Sequence, residues 1–431
     1  MKKQTIYAVS SGSPPAAIGV IRVSGPEAGS ALRRLARREV EPRRASLGKL
    51  RDREGRVLDS ALLLWFPGPH TATGEDLVEL HCHGGKAVLA AVQDALSCFD
   101  GLRPAEPGEF TRRAFANGRI DLAESEGLAD LLSAETELQR AAAMANASGA
   151  LSRQVEGWRD EALRLSAQIE AVLDFSDEDD VEALPAEFGE AVAALENDIA
   201  IWLARPRAEA LGQGIRVVLA GPPNAGKSTL FNALVESEAA ITSPIAGTTR
   251  DVIERSVDIS GVPFTFIDTA GLRDLETVED GDPIEAIGID RARTAVKGAQ
   301  TVLWLGDEGA GPADSWEIAA KSDSDSFTPK AADGAFNVSA DTGDGLERLK
   351  GQLVEAARAM LPPPSQAVLN ERQHRRLAEA GEALGAIASL RDPLLIGEEL
   401  RNVRVAFDRL IGRTTTEDML DALFGRFCIG K

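Results

Sequence analysis

The residues most able to do chemistry lie in IRVVLAGPPNAGKSTLFNAL, Ile215–Leu234. An apolar run enters G-x-x-x-x-G-K-S, from Gly221 to Ser228, and a helical pattern follows. This is the phosphate-loop spacing between the strand and helix that it requires. Glycines let backbone N–H groups converge on phosphate oxygens, and the helix N-terminus adds a favourable dipole. Asn224, Ala225, Gly226, Lys227, Ser228 and Thr229 then bind the nucleotide, with Lys227 reaching the β/γ phosphates and Ser228 holding Mg²⁺.

Downstream, FTFIDTAGL places Asp268, Thr269, Ala270 and Gly271 at a strand end, where they sense the Mg²⁺ shell and γ-phosphate. Between these motifs, IAGTTRD offers Thr249 as a second Mg²⁺ ligand. An Asn-Lys-x-Asp motif would mark guanine, and the sequence has Ala320-Lys321-Ser322-Asp323. Asp323 still matches the N1–H and exocyclic amine of guanine, and the Lys321 stem covers the ring. Ala320 lacks the amide, a loss of about 0.5–1.5 kcal/mol for one net hydrogen bond. Ser339-Ala340, in FNVSADTGDGL, supplies the loop that meets the guanine oxygen. GTP is the expected nucleotide.

Elements must position these groups. In the first 118 residues, IGVIRVSG, SALLLWFPGP and DLVELHCHGG read as strands, while GSALRRLARRE and KAVLAAVQDALSCF read as helices. From Ile120 an Ala/Leu/Glu-rich stretch predicts two long helices, an acidic break at Ser176–Asp180 and a further helix through Trp202. Strands alternate with helices from about Gly212 to Leu361, and helical texture resumes at Asn370. The expected fold is α/β and α multidomain: an N-terminal α+β domain (1–118), a discontinuous helical domain (119–210 and 364–431) and an inserted Ras-like P-loop domain (211–363).

Composition limits the setting. The 431 residues carry a formal charge of −21 and are 44% hydrophobic, which excludes a largely disordered chain. Three scattered cysteines point to a reducing compartment, and neither a membrane span nor a secretory signal is evident, so a cytoplasmic location is expected. The acidity argues against a general nucleic-acid coat. Yet residues 1–118 hold 17 Lys/Arg against 13 Asp/Glu, and ten of those cations fall between Arg33 and Arg56. That cluster is either a solvated face or an anion-attracting one.

The whole chain resembles the MnmE (TrmE) family of tRNA-modifying GTPases. The resemblance rests on EDLVELHCHGG, EPGEFTRRAFANGRIDLAESEGLADL, GPPNAGKS, GTTRD and the terminal FCIGK. It implies a folate-binding, dimerising N-terminal domain and a K⁺-dependent GTPase activated when two G domains meet. It also implies a heterotetramer with the flavoprotein MnmG, which carries FAD; with a net charge of −21 on this chain, that partner is expected to make most of the tRNA contacts. Together they add aminomethyl or carboxymethylaminomethyl groups at C5 of the wobble uridine, using a 5-formyl or 5,10-methylene tetrahydrofolate carbon.

By the same resemblance, Asn224, Ser243, Ile245 and Thr248 hold K⁺, and Glu285 orients the attacking water, with Glu276 and Glu279 as competitors. Arg22, Glu79, Arg119 and Lys431 are the implied folate ligands. Cys428 has two readings, a nucleophile or redox group and a structural part of the tail. His81-Cys82-His83 is read as packing in a strand, because the chain has only four histidines and no second cluster. The competing functions are a folate-bound scaffold with weak GTPase activity and a ribosome-assembly GTPase.

Overall fold

Alternation decides the first sheet. In IGVIRVS the residues Gly19, Ile21 and Val23 are buried, whereas Ile18, Val20 and Arg22 are not, as a strand with one packed face requires. The computed structural model describes residues 4–174, 185–236, 238–240, 253–269, 294–363, 366–414 and 416–430. The chain forms two compact units, Met1–Ala129 with Ala147–Leu163 and Arg401–Lys431, and Asp130–Asn146 with Arg164–Leu400.

The first unit contains β1 (Thr5–Val9), β2 (Ile18–Ser24), α1 (Ala28–Ala36), β3 (Ser46–Arg51), β4 (Val57–Phe66), β5 (Leu77–His83), α2 (Lys86–Ser97) and β6 (Leu102–Pro104). The strands pair in the order β3-β4-β5-β2-β1-β6. Only the β1–β6 contact is parallel among these described pairs. One sheet face shares a core with α1 and α2 through Ile21, Val23, Leu35, Leu63, Leu80 and Leu96. On the other, Ile6 and Ala8 pack with Phe110 of α3 (Glu109–Ala116).

The stretch after Ile120 forms three helices, not the expected two: α4 (Leu122–Ser133), α5 (Glu137–Ala147) and α6 (Ala150–Asp174). Two local stops explain the difference. Thr136 and Gln139 cap each other reciprocally at the start of α5. Gly149 separates α5 from α6 with φ +76, a conformation that side-chain-bearing residues rarely adopt.

The second unit holds α7 (Ala186–Leu203), α8 (Ala208–Gln213), β7 (Ile215–Ala220), α9 (Lys227–Glu236), β8 (Ala239–Ala240), β9 (Ile253–Ile259), β10 (Val262–Asp268), β11 (Thr301–Trp304), β12 (Trp316–Ala320), β13 (Phe336–Val338), α10 (Leu346–Met360) and α11 (Glu371–Ile387). Its sheet runs β13-β12-β11-β7-β10-β9-β8. From β7 the chain builds one side out to β10, then crosses to β11 on the other. The C-terminal end of β7 is therefore a topological switch point, where open α/β sheets bind ligands.

Helix α12 (Pro393–Ile411) and α13 (Glu417–Phe424) end the chain. Within the first unit, Phe424 and Phe427 cluster with Leu122 and Leu420. The tail then meets β1 and α3: Ser10 Oγ donates to the Gly430 carbonyl at 2.8 Å, and Gly108 N–H donates to the Cys428 carbonyl at 3.4 Å. These bonds tie the tail to the sheet and to the start of α3, and Cys428 is exposed. Among the described residues, no helix is long and apolar enough to cross a membrane.

Candidate functional site

Strand β7 is buried along nearly its whole length and fixes where the phosphate loop begins. At Gly221, φ is +147 and a Cβ would stand 3.0 Å from the Gly306 nitrogen, so the turn demands glycine. Asn224 and Gly226 are also left-handed, with φ 60 and 97. Such a run turns successive N–H groups toward one side, the geometry of an anion nest. Lys227 opens α9 and is only 7% exposed. Its Nζ donates to the carbonyls of Gly221 at 2.6 Å and Pro222 at 2.7 Å. Ser228 and Thr229 follow, both exposed in the first helical turn.

Asp268 ends β10 beside Leu219 of β7 and is 1% exposed. The next hydroxyl, Thr269 Oγ1, donates to the Leu219 carbonyl at 2.6 Å, fixing the chain as it leaves the strand. Thus Ser228 and Asp268 stand at the ends of adjacent elements, and their oxygen chemistry suits a hard cation such as Mg²⁺.

The loops after β12 and β13 complete the cleft. Lys321 has φ 61, and its Nζ donates to the Asn224 carbonyl at 2.9 Å. Ser322 N–H bonds the Val338 carbonyl at 3.1 Å, joining the two loops. The fully buried Ser339 side chain, helped by the backbone N–H of Asp323 itself, holds the Asp323 carboxyl below the usual carboxylate range.

These groups line one cavity of about 160 Å³: Gly226 and Thr229 from the phosphate loop and α9, Ala320, Lys321 and Asp323 after β12, and Ala340 after β13. Leu230, Ser324, Val338 and Asp341 also line it. Sequence reasoning missed those four, although the apolar spacing of α9 carried the signal for Leu230. The segment after Asp323 is anchored at Lys330, whose Nζ meets Glu317 at 2.5 Å and the Trp304 carbonyl at 2.9 Å. Ser243, Ile245, Thr248, Thr249, Ala270, Gly271, Glu276, Glu279, Glu285 and Lys431 lie outside the described residues.

In the first unit, Arg22 on β2 and Glu79 on β5 are cross-strand partners. Arg22 Nε and one terminal nitrogen donate to Glu79 Oε1 at 3.1 and 2.8 Å, while the guanidinium sits 5.9 Å over the Phe110 ring. Burial pushes the Glu79 carboxyl up, but Arg22 and His81 together hold it below its ordinary range. An ionised Glu79 suits the donor edge of a pterin. Arg119 follows α3, with its stem beside Gly74.

Sequence reasoning also missed an ion network on this side. Arg103 pairs with Glu109 at 2.6 Å, and Arg113 bridges Glu109 and Glu75 at 2.9 Å each. Cys82 packs in the sheet core, and His83 Nδ1 meets Asp59 at 2.7 Å. Among the described residues, no His/Cys/Asp/Glu group could hold a metal. His81, Cys82 and His83 all lie on β5.

Two family models cover almost all of the chain: the GTP-binding protein TrmE N-terminus over residues 5–119 and the MnmE helical domain over residues 122–428. A tRNA modification GTPase MnmE from Erythrobacter litoralis is 61% identical over 429 residues, spanning 99% of this chain and all of the relative. The protein of that name from Novosphingobium aromaticivorans is 59% identical over 439 residues, spanning 99% of each. That from Zymomonas mobilis is 48% identical over 440 residues, spanning 99% of this chain and all of the relative.

Proposed function

We propose a function from one premise: the chain belongs to the MnmE family of tRNA modification GTPases. It hydrolyses GTP in the cleft between the phosphate loop and the loops after β12 and β13. With the flavoprotein MnmG, it serves the addition of an aminomethyl or carboxymethylaminomethyl group at C5 of the tRNA wobble uridine. The supporting observation is that Gly226 and Thr229 share a cavity with Lys321, Asp323 and Ala340, so phosphate and base recognition meet in one place.

The residues divide the work by chemistry. Backbone N–H groups and Lys227 take the phosphate charge, and Asp323 selects guanine over adenine. Ser228 and Thr249 would hold Mg²⁺, with Asp268 positioned at its shell. Asn224, Ser243, Ile245 and Thr248 would hold K⁺. Held there, K⁺ would supply the positive charge beside the phosphates that an arginine finger supplies in other GTPases. Glu285 orients the attacking water, and two copies of the chain bring their G domains together to complete the site. The domains follow the boundaries 1–118, 119–210 with 364–431, and 211–363.

In the N-terminal domain, Arg22, Glu79, Arg119 and Lys431 take up the tetrahydrofolate derivative. Glu79 faces the pterin donors, and the cations suit the glutamate tail. The partner supplies FAD and most of the tRNA contacts, and the complex works in the cytoplasm.

Wobble nucleosides from a deletion strain, analysed by mass spectrometry, test this reading. Loss of the C5 group is expected, and normal nucleosides would overturn it in favour of ribosome assembly. GTP turnover in KCl and NaCl tests the cation. Equal, near-zero rates in both would leave a scaffold. Glu285→Ala is expected to retain GTP binding and lose hydrolysis.

A further inference from the structure

We propose that Arg37, Arg38 and Arg43, between α1 and β3, form with Arg51 of β3 a docking track for the phosphate backbone of tRNA, a surface on this chain itself; the idea rests on the tRNA-modification reading above. Strand β3 is the edge of its sheet. The stretch from Arg33 to Arg56 holds ten basic and four acidic residues in a chain of net charge −21. A polyanion is repelled by the chain as a whole and attracted there.

The way these cations are held is the informative part. Arg37 donates to the carbonyls of Asp52 and Arg53, both at 3.3 Å, and Arg38 to that of Leu47 at 2.7 Å. Arg43 donates to the His70 carbonyl at 2.6 Å and lies 6.0 Å over the Phe66 ring. Arg51 donates to the Gly55 carbonyl at 2.8 Å. Neutral acceptors fix a guanidinium without cancelling its charge, and most of its five donors remain available. Among the described residues, none of these four arginines has a carboxylate within ion-pair distance. Neighbouring Arg33, Arg44 and Arg56 do, through Glu39, Glu41 and Asp52.

The backbone adds an independent sign. Arg37 caps α1 with φ 51 and ψ 33, and Arg43 has φ 58. Those left-handed positions favour glycine or asparagine. Arginine occupies both at a conformational cost, as strained residues at functional sites do. Charge along an edge strand also prevents strand pairing between molecules. That role needs charge alone, not tethered guanidiniums on left-handed residues. A planar fork held in place matches phosphate oxygens bidentately, as it does carboxylates, and the tRNA-modification reading makes a tRNA backbone the polyanion that this face meets.

The test uses the full chain and tRNA, with affinity measured across a salt series. Arg37→Asn combined with Arg43→Asn suits the left-handed backbone, so folding and GTP turnover should be unchanged. Its tRNA affinity should fall about tenfold, and the slope of log K against log salt should become shallower by about 2. The lysine pair, Arg37→Lys with Arg43→Lys, should keep most of the slope. Lys49→Gln with Arg53→Gln removes two exposed charges that tether nothing, and should flatten the slope by a similar amount. An unchanged slope in the folded Arg37→Asn/Arg43→Asn protein overturns the proposal, and should that pair fail to fold, an unchanged slope in the Lys49→Gln/Arg53→Gln protein overturns it. So does a wild-type chain with no salt-dependent tRNA affinity, or retained tRNA binding with lost affinity for an acidic protein partner. Wobble nucleosides in the deletion strain decide the underlying reading separately.

Discussion

Lys321 Nζ donates to the backbone carbonyl of Asn224 at 2.9 Å, joining the base-reading loop to the phosphate loop. The left-handed backbone at Lys321 places it beside the loop, and its Cε stands 3.7 Å from where a Cβ on Gly226 would be. One side chain thus covers the base site and steadies the residue whose side chain is the proposed K⁺ ligand. Lys321→Ala removes an exposed charge-assisted bond, worth about 1 kcal/mol after solvent screening. GTP affinity should fall roughly fivefold, with K⁺ activation shifted to higher concentration. Titration of GTP at several KCl concentrations reads both, and a variant equal to wild type would show that the bond positions nothing.

Ala320 lines the same cavity, and its Cβ is 3.5 Å from the Cβ position of Gly226. An asparagine there would direct its amide between base and phosphate loop. Ala320→Asn should therefore tighten GTP by about 0.5–1.5 kcal/mol, or roughly two- to tenfold. Calorimetric titration checks it. No gain would mean that Lys321 already supplies the whole brace.

Much of the cleft was legible in sequence because its chemistry is local. Gly221 to Ser228 is a contiguous loop, and the fold places it at a strand end by rule. The Lys321–Asn224 bond was not legible, since it depends on a left-handed lysine 97 residues away. The network of Arg103, Glu109, Arg113 and Glu75 escaped for the same reason: charges from separate elements converge only after the sheet forms. In the helical stretch, high Ala and Leu content concealed the stops at Thr136 and Gly149. There a single cap or backbone angle outweighed summed propensity.

The three cysteines should separate by reactivity. Burial, reinforced by the nearby Asp59 carboxylate, pushes the Cys82 thiol up to about 12. Cys98 and Cys428 are exposed. A thiolate-selective alkylating reagent at about pH 8 should add to two sites in the native protein and to a third only in denaturant. Intact-mass measurement counts the adducts. Rapid native modification of Cys82 would contradict its packing in the sheet core.

Acid should expose the worth of the Arg22–Glu79 pair. The folded-state pKa of Glu79 is depressed, so its contribution to stability is present above the usual carboxylate range and lost as pH falls through the lower folded value. Both side chains are partly exposed, at 25% and 19%, so solvent screening limits the pair to the order of 1–2 kcal/mol. In Arg22→Ala the burial that opposes ionisation loses its main counterweight, and the carboxyl should titrate higher. The stability gap between wild type and variant should then be largest near neutral pH and close in acid. Urea unfolding at about pH 7 and about pH 3 measures it. A gap that stays constant across that range would assign the cost to lost packing against Phe110 and not to the ion pair.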